Sequence, residues 1–398
     1  MRFLHVIPSV DPKGGGTIEG AHQLHRALTG LGHDGAFVTL DAPDATTLQQ
    51  FDAPIYPLGP ALSGYGYGAQ LVPWLRTHAA EFDAVLVNGL WQYPGLATRR
   101  ALAGSPTPYF VFPHGMLDPW FKHAYPLKHL KKWLYWPWAE YRVLRDATGV
   151  LFTCDEERLL ARKSFWLYRA REFISSYGTA SPPRTDAITS GESFLQAFPQ
   201  LRGKRLILFL GRIHEKKGCD LLIEAFAKVC RDMPDAHLVL AGPDSGALPD
   251  QLRNRIAQIG MQARVTWTGM LSGDKKWGAF HASDAFCLPS HQENFGIAVV
   301  EALACGCPVL ISDKVNIWRE IQADRSGLVE SDTLEGAEAL LDQWFKTSPE
   351  DAARMREAAV RSFDARFQME QVARNLIDIV QRSTGVAIKD TGEHHAHS

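Results

Sequence analysis

Two short segments of this chain carry side chains suited to phosphate and sugar chemistry. In LFLGRIHEKKGCDLLIEAF (208–226) an apolar run ends at Gly211, Arg212 follows, and Lys217 comes five residues later, just before Gly218 opens a helical pattern. A guanidinium and an ammonium at a strand-to-helix corner suit a diphosphate. The planar Arg fork grips two oxygens, Lys adds a mobile point charge, and a helix N-terminus adds its dipole. The plainer reading is a loop of solvated basic residues. In LPSHQENFGIAVVEALACGCPVLIS (288–312), Glu293 follows an apolar run and Gly296 marks a helix entry, with Asn294, Phe295 and Ile297 around it. Glu301 then falls in the second turn, on a face of Ala, Val and Leu, where a carboxylate loses hydration unless something satisfies it. The paired hydroxyls of a ribose would satisfy it, and Glu293 beside the Gly296 backbone could receive sugar hydroxyls. The alternative is one Glu complementing a helix dipole and one surface Glu.

Such residues need strands to hold them. Short apolar runs recur at 2–7, 35–40, 84–89, 108–113 and 149–154, and again at 205–211, 236–242, 263–269, 285–290 and 308–312, with helical patterns between them. Runs of this length alternating with amphipathic stretches predict buried parallel strands in βαβ units. The gap between the series, SYGTASPPRTDAITSG (176–191), is the expected linker, so two sheets are predicted. In open parallel sheets ligands bind beyond the carboxyl ends of the strands, where both segments fall.

Composition excludes several classes. The chain has 398 residues, 45% hydrophobic and 22% charged, which fits two or three globular domains rather than a disordered or fibrous chain. Forty-two Lys+Arg against 44 Asp+Glu argue against a dedicated nucleic-acid binder. Six cysteines without metal-site pairing point to a reducing compartment. The opening MRFLHVIPSV is too short for a signal peptide, and no run reaches the ~18–20 apolar residues of a membrane span. A cytoplasmic location is therefore expected.

Together, G-R-x-x-x-x-K-G at 211–218 and E-x-F-G-x-x-x-x-E-A-x-A-x-G-x-P-V from Glu293 to Val309 resemble the retaining glycosyltransferases of family 4. The Gly14-Gly15-Gly16 loop and the Pro113-His114-Gly115 corner extend the resemblance over most of the chain. It implies an α/β GT-B fold of two Rossmann-like doubly wound domains facing across a cleft. It also implies hexosyl transfer from a nucleotide-diphosphate sugar, UDP- or GDP-linked, that serves as cosubstrate, with no other cofactor. By resemblance Arg212 and Lys217 hold the diphosphate, Glu301 the ribose and Glu293 the donor sugar. Gly15 and Gly16 bring backbone amides near the diphosphate. Asn294, Phe295, Gly296 and Ile297 line the donor site, and His114 contacts donor sugar or acceptor. The tripeptide D-x-D is absent, so metal independence is expected. The chain departs from the family at Tyr177-Gly178, where Asn-Gly is common, and at 313–320, where a glycine-rich turn is usual near the donor-sugar pocket.

The resemblance places an acceptor domain at 1–185, a donor domain at 186–369 and a helix at 370–388 returning to the first domain, with a disordered tail at 389–398. The segment 119–145 holds Trp120, Trp133, Trp136 and Trp138, with six Lys or Arg against Glu140 alone. Tryptophan with basic residues suits an anionic membrane interface, although an acceptor groove or internal packing would use the same residues. Family habit adds a lipid-linked glycan acceptor, such as a polyprenyl-diphosphate saccharide of exopolysaccharide or lipopolysaccharide assembly. Rival readings are a sugar-nucleotide epimerase of the same fold and a non-catalytic scaffold that binds nucleotide sugars.

Overall fold

A computed structural model describes residues 1–12, 15–183, 186–243 and 246–385. Gly14 and the tail 389–398 lie outside the described residues. The chain divides into two compact units. Among the described residues, one comprises 1–152, 161–175 and 372–385, and the other comprises 153–160 and 176–371.

The first unit holds seven parallel strands: β1 (Arg2–Val6), β2 (Asp34–Thr39), β3 (Ile55–Pro57), β4 (Ala84–Asn88), β5 (Tyr109–Phe112), β6 (Gly149–Phe152) and β7 (Glu172–Ile174). Their order is β3-β2-β1-β4-β5-β6-β7. The second unit holds six: β8 (Arg205–Leu210), β9 (Ala236–Ala241), β10 (Val265–Gly269), β11 (Ala285–Leu288), β12 (Val309–Ser312) and β13 (Gly327–Glu330), ordered β10-β9-β8-β11-β12-β13. Each is a doubly wound sheet whose strand order reverses at one place, between β1 and β4 or between β8 and β11. Loops leaving a reversal point diverge to opposite faces and open a crevice.

The central strands read as unbroken apolar runs because helices cover both faces. Val85, Leu86 and Val87 in β4 and Ile207, Leu208 and Phe209 in β8 are fully buried. His5 in β1 is one exception. It is wholly buried and stacks on Phe37 at 4.6 Å, and burial pushes its imidazole down to about 3, so it is neutral.

One expectation needs correction. The span 187–191 is no linker, because a helix runs over Ala187–Ala197, capped by Asp186 accepting from the Thr189 amide at 3.0 Å. The Trp-rich span 119–145 is three short helices, Trp120–Ala124, Pro126–Tyr135 and Glu140–Asp146. Within it Trp136 is fully buried while Trp133 and Trp138 are exposed. The last helix among the described residues is Met369–Thr384, and Asn375 Nδ2 donates to the Ile174 carbonyl at 3.0 Å within the first unit.

Candidate functional site

In the second unit, the loop after β8 carries Arg212 and Lys217, and the loop after β11 carries Glu293 and Asn294. These are the two loops that flank the reversal of strand order. They are stitched together: His291 N–H donates to the Lys216 carbonyl at 2.8 Å. Gly218 sits at φ 64, where a Cβ would lie 2.1 Å from the Pro289 carbonyl oxygen. Left-handed backbone and that close approach both require glycine here. Gly218→Ala should therefore lower the melting temperature by several degrees and displace Lys217. Calorimetry reads the first effect and loss of nucleotide binding reads the second.

Lys217 Nζ is paired with Glu293 Oε2, each side chain about four-fifths buried. Arg212 is exposed and has no hydrogen-bond or ion-pair partner among the described residues. One cation is thus free for an anion, and the other is held ready by a carboxylate. The backbone of Glu293 is fixed on both sides, because its N–H donates to the Lys314 carbonyl at 2.9 Å and its carbonyl accepts from Asn316 at 3.0 Å. The segment 313–320 that departs from the family pattern is therefore the brace of Glu293. Val315 and Ile317, both fully buried, anchor it in the core. Asn316 Nδ2 also reaches Asn294 Oδ1 at 3.4 Å.

Gly296, at φ 76, opens the helix Ile297–Ala304. Phe295 turns inward against Tyr177 and Phe367, with ring centroids 5.3 and 5.8 Å away. Its side chain therefore packs while Gly296 and Ile297 form the helix entry. Glu301 is buried, and Lys276 Nζ donates to its Oε1 at 2.7 Å. Burial pushes the Glu301 carboxyl up and Lys276 pulls it back. The charge that the sequence left unsatisfied thus has a cation, from the helix Gly273–Ala282.

In the first unit, Gly15 at φ 81 precedes the helix Gly16–Gly30 just beyond β1, and both glycines are exposed. His114 follows β5 at φ 49, a strained position for a residue with a side chain. Asn88 Nδ2 donates to the Leu86 carbonyl at 3.2 Å, which turns Asn88 Oδ1 toward His114 Nε2 at 3.3 Å. That contact puts the proton on Nε2. Burial pushes the imidazole down to about 4, so it is neutral near pH 7. Trp91, after β4, is also strained at φ 70, and its Nε1 donates to the Met116 carbonyl at 3.1 Å.

Comparison with known proteins fits both units. The family described as glycosyl transferases group 1 matches residues 193–362, and the glycosyl transferase 4-like domain matches 15–175. Residues 193–362 belong to the group 1 glycosyltransferases. Among the chain's relatives, the D-inositol 3-phosphate glycosyltransferase of Mycolicibacterium gilvum is 34% identical over 36% of this chain and 34% of its own. That of Gordonia bronchialis is 30% identical over 54% and 49%. The chain thus spans a third to a half of the length of these curated relatives. In fold it is similar to Anabaena HepE solved with UDP, at TM-score 0.75 and 18% identity, covering 96% of this chain and 100% of that one.

Sequence reasoning named Arg212, Lys217, Glu293 and Glu301, and the structure adds neighbours that it did not name: Lys276 beside Glu301, Asn316 beside Glu293, Asn88 beside His114, and the strained Trp91. Lys276 lies beside Lys275 in an ordinary helix, 25 positions from Glu301, and no local pattern separates the two lysines. Trp91 offers no signal either, since a tryptophan at positive φ reads like any other aromatic.

Proposed function

We propose that the protein transfers a sugar from a nucleotide-diphosphate donor, UDP- or GDP-linked, to a glycan hydroxyl, with retention and without a metal ion. The placing of Arg212, Lys217 and Glu293 on the two loops at the strand-order reversal of the second unit carries this reading. The acceptor oxygen attacks the anomeric carbon as the bond from that carbon to the phosphate oxygen breaks. The nucleoside diphosphate departs with the electron pair and takes the acceptor proton. Arg212 and Lys217 then hold the charge that develops on the diphosphate, which is where fixed cations are most effective.

Glu301, pinned by Lys276, is assigned to the ribose hydroxyls. Glu293 is assigned to the donor sugar, with Asn294 and the backbone at Gly296 and Ile297. Neutral His114 and the Gly15-Gly16 amides serve the first unit's share of donor or acceptor binding. UDP is the first candidate because HepE was solved with it. A lipid-linked saccharide is the proposed acceptor, reached by a peripheral protein on the inner face of the plasma membrane. Exposed tryptophans beside lysines in 119–145 support that choice.

Thermal shift with UDP, GDP, ADP and TDP, first without metal and then with magnesium, tests the donor assignment. One nucleotide at a hundred times its Kd should stabilise the chain by about 2.7 kcal/mol. Glu301→Ala should remove most of that shift. No shift with any nucleotide, or an unchanged shift in Glu301→Ala, would sink the assignment.

A further inference from the structure

The helix Pro126–Tyr135 has ten residues and none of them is buried. Leu127, Leu130 and Leu134 are 79%, 57% and 65% exposed, at the i, i+3, i+7 spacing that lines one helix face. Exposed Trp133 lies beside exposed Trp166, with ring centroids 5.8 Å apart. The support beneath is built. Buried Trp136 donates from Nε1 to the Trp166 carbonyl at 2.8 Å and stacks on Phe165 at 4.6 Å. The next residue, Leu167, is half exposed at φ 60, a conformation that a leucine rarely adopts. A buried tryptophan thus fixes a turn that presents two large apolar side chains to solvent.

Charge says what covers this face. Lys128 and Lys131 of this helix are exposed, as are Lys122, four residues before the helix, and Lys163, three residues before Trp166. Glu140, the one acidic residue between 119 and 145, is wholly buried. A second copy of such a lysine-rich face would be repelled. Anionic headgroups would neutralise the lysines, while tryptophan rings sit at headgroup depth and leucines reach the acyl chains.

We propose that the helix Pro126–Tyr135, with Trp166 and Leu167, is a docking surface for an anionic lipid bilayer. This deepens the reading of a lipid-linked acceptor and rests on it for its biological sense, but the binding is measured without donor or acceptor. The full chain is sedimented with vesicles of phosphatidylcholine alone or mixed with phosphatidylglycerol. Wild type should bind the anionic vesicles roughly tenfold more tightly or better. A triple variant Leu127→Ser, Leu130→Ser, Leu134→Ser should lose binding to both, and Lys128→Glu with Lys131→Glu should lose the anionic preference. All these positions are exposed, so melting temperatures should stay at the wild-type value and confirm folding.

Wild type that ignores anionic vesicles, or variants that bind as wild type does, would overturn the proposal. So would a wild-type dimer that the leucine variant turns into a monomer, which would make the face an interface between copies. Vesicle binding without any nucleotide-induced shift would instead sink the transferase reading and leave the docking surface standing.

Discussion

Lys217→Ala should lower kcat by roughly a hundred- to a thousandfold, the usual cost of removing one preorganised charge that stabilises a transition state. The donor carries its negative charge in both ground and transition state, but the bridging oxygen gains charge only as the anomeric bond breaks. A cation held at that oxygen therefore acts more on kcat than on KM. Lys217 is suited to this because Glu293 already holds its ammonium in place, so little reorganisation is needed when charge appears. Glu293→Gln separates the roles, since it keeps the size of the side chain but releases Lys217. It should raise KM for the donor as well as lower kcat, because the sugar contact proposed for it weakens too. The measurement is steady-state donor consumption with the nucleotide sugar chosen by thermal shift. A Lys217→Ala enzyme whose kcat stays near wild type would remove the lysine from the chemistry. The pair itself contributes little to folding: both side chains are about four-fifths buried, so the cost of desolvating two charges offsets much of their attraction.

The parts of this design legible in the sequence share one property: they are local. The apolar runs that became β1, β4, β8 and β11 announced themselves because buried parallel strands have no polar face to interrupt them. The edge strands β3, β7 and β13 went unseen. They are three or four residues long and none of their residues is fully buried, so no apolar run marks them. The motif residues were legible for the same reason as the central strands, since each lies within ten positions of the glycine or strand that places it. The partners that tune them were not. Lys276 meets Glu301 across 25 positions, and Asn88 meets His114 across 26. The brace at Val315 looked from sequence like a departure near the donor-sugar pocket. In the fold it is a backbone ladder beside Glu293, which any sequence with buried anchors at 315 and 317 could supply.

Glu140 also looked ordinary in the sequence, as the lone acid in a basic stretch, and the fold turns it into a stability switch that acts between pH 4.5 and about 8. It is fully buried, and no side chain among the described residues hydrogen-bonds its carboxyl oxygens. The Trp91 backbone amide and the Lys132 ammonium are the favourable neighbours, and the hydroxyls of Tyr65 and Tyr135 lie near. Burial outweighs both favourable neighbours and pushes the carboxyl up to about 8. The folded chain therefore keeps this proton from the unfolded value of 4.5 up to about 8, while the unfolded chain has released it. The folded state binds more protons in that window, so stability falls as pH rises through it, by about 1.4 kcal/mol per pH unit. Between pH 6 and 8 the loss from this one group is roughly 2–3 kcal/mol. The buried histidines act in the opposite direction: His5, His114 and His237 all have lowered values, so their contribution still grows as pH rises through 6.5 and is complete only about a unit above it. Glu140→Gln keeps the shape and cannot ionise, so the histidine contribution cancels in the difference between the two proteins, and the stability of wild type relative to Glu140→Gln should fall steadily from pH 6 to 8. Urea unfolding followed by tryptophan fluorescence reads the first unit well, since Trp91, Trp133, Trp136 and Trp166 all lie there. Parallel pH slopes for wild type and Glu140→Gln would mean that Glu140 is ionised in the fold, with water or Lys132 holding its charge.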